Sequence, residues 1–346
     1  VIELLSCLLV AQAAEVSSRD GGHVQNPQWS DDGSYLAYEV NDLSDTVELF
    51  VVEVVSGSAR TPRELEVPGT GGGFAGGGFA AAPHWADKPQ QMVIYEGSNA
   101  GGTVRLYYAN PAGGAPNEIL TSNQIGGNLG FPSMAADGSK LAFVSDSAGR
   151  GDIFIWELSN NAVTSIFPTD APEHFPTFGD GASDRLVFTR KNGGTEDLFS
   201  WNGSTTPPLK GGNGDQTRPT LVGEKVVYFT SERGDGHWDI AVTSSEPGGK
   251  RSIIARDVKL PSRGTPAVTP DGRSVAWVSA DPSQSHQVSF TRLDGSSTST
   301  LDTGLVSAGE PAVTTASGKV WLAFTALPSA GSDWRKLHVV DVTGSF

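Results

Sequence analysis

Cysteine is nearly absent. The 346-residue chain has one, Cys7, which excludes an internal disulfide framework and a cysteine-built zinc site. Cations are scarce as well, with 24 Lys and Arg against 39 Asp and Glu, a net charge of −15. A field of that sign repels nucleic acid and anionic membrane surfaces, so neither is expected as a partner. Apart from the run at residues 1–10, no stretch approaches the roughly 18 apolar residues of a membrane span, and no spanning segment is expected. Charged residues make up only 18% of the chain and hydrophobic ones 37%, a balance that excludes a disordered protein.

Punctuation is what abounds, in 43 Gly and 21 Pro. An interior Gly costs a helix roughly 1 kcal/mol and an interior Pro roughly 3. A helical bundle could not carry that load, and the chain reads as all-β. The run VIELLSCLLV, followed by Ala11-Gln12-Ala13-Ala14, has an apolar core and a small-x-small cleavage signal. Residues 1–13 are therefore read as a signal-peptide-like segment, and residues 14–346 as one domain. Export to the periplasm or the extracellular space follows from that reading. Two other readings stand beside it. Leu4-Leu5-Ser6-Cys7 could serve as a lipobox that makes Cys7 a lipidated first residue, or the run could fold as a strand.

A proline recurs at one point of a repeated pattern: Pro27, Pro83, Pro132, Pro176, Pro219, Pro266 and Pro311. A polar turn and a short apolar strand follow it. The clearest copies are Pro27-Gln28-Trp29-Ser30-Asp31-Asp32-Gly33 with Leu36-Ala37-Tyr38, and Pro132 to Gly138 with Leu141-Ala142-Phe143. Pro266 to Gly272 with Val275-Ala276-Trp277 is a third. A second signal trails each proline at a near-constant distance: Glu48-Leu49-Phe50, Arg105-Leu106-Tyr107, Asp152-Ile153-Phe154, Asp197-Leu198-Phe199, Asp239-Ile240, Gln287-Val288 and Lys336-Leu337. The Asp-Gly turns supply the positive φ that a tight hairpin needs, and alternation gives each strand a buried face. One such unit cannot bury both faces alone, whereas radial packing of seven can. The expected fold is a seven-bladed β-propeller of four-stranded antiparallel blades. The last blade lacks a fourth strand at the C-terminal side, so Ala14-Glu15-Val16-Ser17-Ser18 is expected to pair with it and close the ring.

This grammar of Pro-x-Trp-Ser-x-Asp-Gly, Leu-Ala-Phe and Asp-Ile-Phe resembles the TolB-like β-propeller repeat of exported bacterial proteins. The resemblance runs from about residue 23 to the C-terminus, without the additional N-terminal domain of that family's namesake. It implies the fold and leaves function open. The repeat is also similar to an oligogalacturonate-lyase-like branch, in which isolated histidines from several blades can hold a metal.

Here the six histidines have no ligand spacing, and repeat position places His84, His237, His286 and His338 at strand starts and outer hairpins, away from the central entrance. No metal and no cofactor are expected. Asp32, Asp137 and Asp271 repeat at equivalent positions and read as turn residues. Asp152, Asp197 and Asp239 read as acceptors that tie the third strand to a neighbouring hairpin. The glycine-rich stretch 71–78 lacks the Lys and the helix of a phosphate loop. It reads as an insertion between blades, with Phe74 and Phe79 as anchors.

Segments that lead into the recurrent prolines should meet at the central funnel. They carry Gln25 and Asn26, Glu173 and His174, Asp215 and Arg218, Arg263, and Glu310, which differ from blade to blade where the strands repeat. They are the candidate binding residues. The expected function is an exported, non-catalytic binding or scaffold module with a protein partner, a glycan being the other candidate ligand. The alternative is a carbohydrate-active propeller, either lyase-like or sugar-binding.

Overall fold

The computed structural model describes residues 13–345 except 18–20, 42–46, 69–78, 89, 99–101, 122, 167, 180, 182–184, 205, 210–212 and 235. Seven antiparallel sheets follow one another along the chain. Their first strands are His23–Trp29, Phe79–Ala86, Leu129–Met134, Glu173–Phe178, Gln216–Val222, Ala267–Val268 and Val306–Ala316. These strands lie innermost, and blades are numbered here from His23.

The repeated Leu-Ala-aromatic strand is explained by where its alternate faces go. Leu36 and Tyr38 pack into a cluster shared with blade seven, while Ala37 packs into the cluster shared with blade two. Leu141 and Phe143 face blade two and Ala142 faces blade four. The large residues thus point to the preceding blade and the small one to the following blade. Among the described residues seven such clusters, one at each blade junction, make up the buried core.

Hydrogen bonds link the inner strands round the ring. Trp29 Nε1 donates to Ala312 O at 3.2 Å and Trp85 Nε1 to Gln28 O at 2.8 Å. Thr177 Oγ1 donates to Pro219 O at 2.9 Å, and Thr220 Oγ1 to Pro266 O at 3.1 Å.

The Asp-Gly turns behave as turns. Asp32, Asp137 and Asp271 each accept the backbone N–H two residues on, at 3.0, 2.9 and 3.1 Å. Their glycines, Gly33, Gly138 and Gly272, have φ of 67°, 72° and 66°. Space adds a second constraint, since a Cβ on Gly138 would sit 2.6 Å from Lys88 O of the preceding blade. Gly138→Ala is expected to cost about 2 kcal/mol through the left-handed backbone and this clash, read as a fall in the urea midpoint at unchanged slope. The Asp152, Asp197 and Asp239 expectation is corrected in part. Asp239 Oδ1 accepts Asp257 N at 3.0 Å and Asp197 Oδ2 accepts Asn192 Nδ2 at 2.9 Å, both within their own blades.

The ring closes as the strand arithmetic expects. Ala14 and Glu15 pair with Val339 and His338 of the last strand. Val16 N then donates to Leu337 O at 2.9 Å, and Leu337 N donates to Ser17 Oγ at 3.0 Å. Val16 is buried in the cluster between blades seven and one. Among the described residues, blade four shows three regular strands. Its outer edge is a bridge between Phe199 and Pro208, where Pro207 and Pro208 remove two ladder donors. No helix among the described residues is long and apolar enough to cross a membrane.

Candidate functional site at the channel mouth

Each inner strand runs inward from the face that carries the blade-to-blade linkers, here called the linker face. In six of the seven blades the residue before the recurrent proline adopts a left-handed backbone: Asn26 (φ 49°), Ala82 (51°), Phe131 (52°), Phe175 (52°), Arg218 (54°) and Glu310 (47°). The ladder slips at the same point in each of these strands. A bulge with one residue at positive φ bends the strand and re-aims that side chain. The resulting ring of bulges surrounds the mouth of the central channel.

Carboxylates of one blade hold the bulge of the next. Glu310 accepts Asn26 N, Glu39 Oε1 accepts Ala82 N at 2.7 Å, and Glu96 Oε1 accepts Phe131 N at 2.8 Å. Glu39, wholly buried, also takes Gln25 Nε2 at 2.8 Å and Asn26 Nδ2 at 3.0 Å. Burial pushes the Glu96 carboxyl above its usual range, while Arg263 and the Phe131 amide pull it back.

Blade six has no such bulge, and its inner strand is only Ala267–Val268, paired in register. The linker ahead of it, residues 259–265, instead lies over the mouth. Lys259 N donates to Val278 O at 2.7 Å and Ser262 N to Glu310 Oε1 at 2.9 Å. Arg218 donates to the carbonyls of Pro261 and Ser262, the latter at 3.2 Å, with its guanidinium 5.4 Å from the Phe175 ring centroid. Arg263 reaches the far wall, Nη1 donating to Glu96 Oε2 at 3.2 Å. Below this stopper lies a cavity of about 270 Å³, lined in part by Gln28, His84, Phe131, Ser133, Phe175 and Thr220.

The candidate residues from the sequence therefore separate. Gln25, Asn26, Arg218, Arg263 and Glu310 converge at the mouth. His174 packs beside it, edge-on to Phe131 at 6.0 Å, and Phe131 meets Phe175 at 4.7 Å. Glu173 is instead fully buried between blades three and four, accepting Thr169 Oγ1 at 2.8 Å. Asp215 accepts Glu196 N at 3.1 Å and Ser231 Oγ at 3.3 Å, tying blade four to blade five. Phe74 lies outside the described residues, and Phe79 opens the inner strand of blade two.

His84 is a correction. It lies on the inner strand of blade two and lines the channel cavity, where Nε2 accepts Met134 N at 3.0 Å. Burial lowers its pKa to about 4. Glu39 and Glu96 were missed. Their signal is a Glu directly after the motif aromatic, where the other blades carry Val144, Thr189, Phe229, Val278 and Thr325. No group of three or more His, Cys, Asp or Glu suited to a metal ion occurs among the described residues.

The same ring occurs in proteins of different activity. TolB from Acinetobacter baumannii is similar with a TM-score of 0.54 at 15% identity, over 91% of this chain and 66% of its own. Oligogalacturonate lyase from Vibrio parahaemolyticus gives 0.66 at 13% identity, over 97% and 95%. A puromycin-hydrolyzing peptidase of Mycobacterium tuberculosis gives 0.59 at 13%, over 93% and 55%. The chain thus spans less than two-thirds of the TolB and peptidase lengths. No protein-family profile and no curated protein sequence matches it. At these identities the likeness establishes the propeller fold.

Proposed function

We propose that this chain is an exported, non-catalytic β-propeller that binds a protein partner on its linker face, as a module of the cell envelope or an extracellular assembly. One observation carries the reading. Six blades hold the residue before proline in one left-handed conformation, yet the six residues are Asn, Ala, Phe, Phe, Arg and Glu. Glycine would meet that backbone without the roughly 1–2 kcal/mol that an L side chain costs there. Packing does not require the variety, and a non-repeating ligand does. Such strained positions gather where a surface works. The run at residues 1–10 supports export, and cleavage before Ala14 would free the closing strand.

The test is a photo-crosslinker on each face. Phe175→p-benzoylphenylalanine places it at the mouth, and Asn160→p-benzoylphenylalanine in an exposed hairpin of the opposite face. A discrete adduct at position 175 and none at 160 is expected. Equal labelling at both, or labelling at 160 alone, would overturn the proposal.

A second reading, a carbohydrate-active propeller, has in its favour the near full-length likeness to oligogalacturonate lyase and the placement of His84 in the channel. Elimination of oligogalacturonate by the purified chain would favour it over the first.

A further inference from the structure

The geometry points to an oxyanion site, for a carboxylate or a phosphoryl group, in the pocket between Lys259 and Arg335 at the junction of blades seven and one. The pocket is separate from the channel cavity, has a volume of about 370 Å³, and is bordered by His23, Ser262, Gly309 and Thr325. It does not depend on the partner proposed above.

Three observations converge there. A Cβ built on Gly309 would lie 3.4 Å from Arg335 Nη1, 3.4 Å from Thr325 Oγ1 and 3.5 Å from Lys259 Nζ. Two cationic groups, one from the linker ahead of blade six and one from blade seven, thus reach one point, and the residue at that point is the one without a side chain. In a chain of net charge −15, such a pairing of like charges calls for an anion.

The local carboxylate does not fill that role. Both cations feel the charge of Glu310, but its two oxygens take the Asn26 and Ser262 amides. Among the described residues no carboxylate lies within ion-pair distance of Lys259. Partial burial and the charge of Arg335 lower its ammonium below the usual range.

The cradle is also fixed in place. Arg335 donates to the carbonyl of Ser307 and, at 2.7 Å, to Ser307 Oγ. Ser307, which accepts both of these bonds, is itself held at a φ of 55°. His23 Nδ1 accepts Arg335 N at 3.3 Å, so its Nε2–H is left as a donor, and Trp334 packs edge-on against the ring at 5.1 Å. An ammonium, a guanidinium and an imidazole N–H match the acceptors of one oxyanion.

The test is calorimetric titration of the full chain at low salt and pH 7, with inorganic phosphate and, separately, malonate. Saturable one-site binding of at least one probe is expected, the tighter one identifying the group as phosphoryl or carboxylate. Lys259→Gln removes one cation, and Gly309→Ala fills the meeting point at ordinary contact distance. Each should weaken binding roughly tenfold or more at an unchanged melting temperature, while Lys250→Gln on an exposed turn should not. The proposal is overturned by no saturable binding to the folded wild type, by unchanged affinity in the two pocket variants, or by equal weakening in Lys250→Gln.

Discussion

A chain that begins at Arg19 is expected to melt about 10 °C or more below one that begins at Ala14, from a loss of roughly 5 kcal/mol and about 2–4 °C per kcal/mol in a large domain. The truncation uncovers the interface around Val16, worth roughly 1.5–3 kcal/mol as a buried aliphatic side chain. It also removes the pairing of Ala14 and Glu15 with Val339 and His338 and the bonds to Leu337, each worth about 1 kcal/mol. The strand Lys336–Asp341 becomes an open edge, which templates pairing with other chains, so the shortened protein should also aggregate on heating. Val16→Asp in the full chain buries a carboxylate in the same place and should act in the same direction. Equal melting temperatures for the long and short chains would mean that the ring does not depend on its N-terminal strand.

Acid should act on the same junction. His338 pairs with Glu15, is buried with neither ring nitrogen bonded, and stacks on Phe324 at 5.7 Å. Burial lowers its pKa to about 4, as it does for His84. Because the unfolded chain takes up the proton first, the stability from each neutral ring is full above about pH 6.5. It is lost as pH falls toward 4, by roughly 3 kcal/mol per histidine.

Two carboxyls run the other way. Burial raises Glu173 to about 7, with the charge of Asp152 adding to it. Burial, then Asp87, raises Asp31 to about 6. Their contribution is full below about pH 4 and is lost as pH rises through the folded values. The two sets oppose each other over one window, so the wild-type profile should be shallow and single variants should tilt it. His338→Leu is expected to gain roughly 3 kcal/mol on wild type between pH 8 and pH 4.5, and Glu173→Gln to gain a similar amount between pH 4.5 and pH 8. Urea midpoints at three pH values measure both. Variant and wild-type curves that stay parallel would show that these groups titrate normally in the fold.

The ring was legible because its signals repeat. Leu36, Ala37 and Tyr38 announce two buried faces, Asp32 and Gly33 announce the turn, and seven copies at one register leave few other folds. The mouth was legible only in outline, because what builds it occurs once. A residue before proline reads as extended from sequence, so nothing signalled the left-handed bulges at Asn26, Phe175 and Arg218. Distance from the proline then sorts the candidates. Phe175 and Arg218, immediately before it, face the channel, whereas Glu173, three residues before Pro176, is drawn between blades. The stopper was hidden for a different reason. The spacing into Pro266 is ordinary, and only the shortening of the next strand to Ala267–Val268 turns residues 259–265 over the mouth. Lys259 and Arg335 are far apart in the chain and meet because that same linker carries Lys259 across to blade seven, where Gly309 lies close to both.

In the function proposed above, the repeated positions carry the ring and the non-repeating mouth carries recognition, a division of labour between the two. Its most direct test is the affinity of the partner crosslinked at position 175 for two variants, measured with each variant's melting temperature. Arg263→Gln breaks the contact to Glu96 across the mouth and should weaken binding roughly tenfold or more while melting within a few degrees of wild type. Gly138→Ala should melt lower yet bind as wild type well below its transition. Wild-type affinity in Arg263→Gln, or a loss of affinity in Gly138→Ala that matches it, would contradict this division of labour.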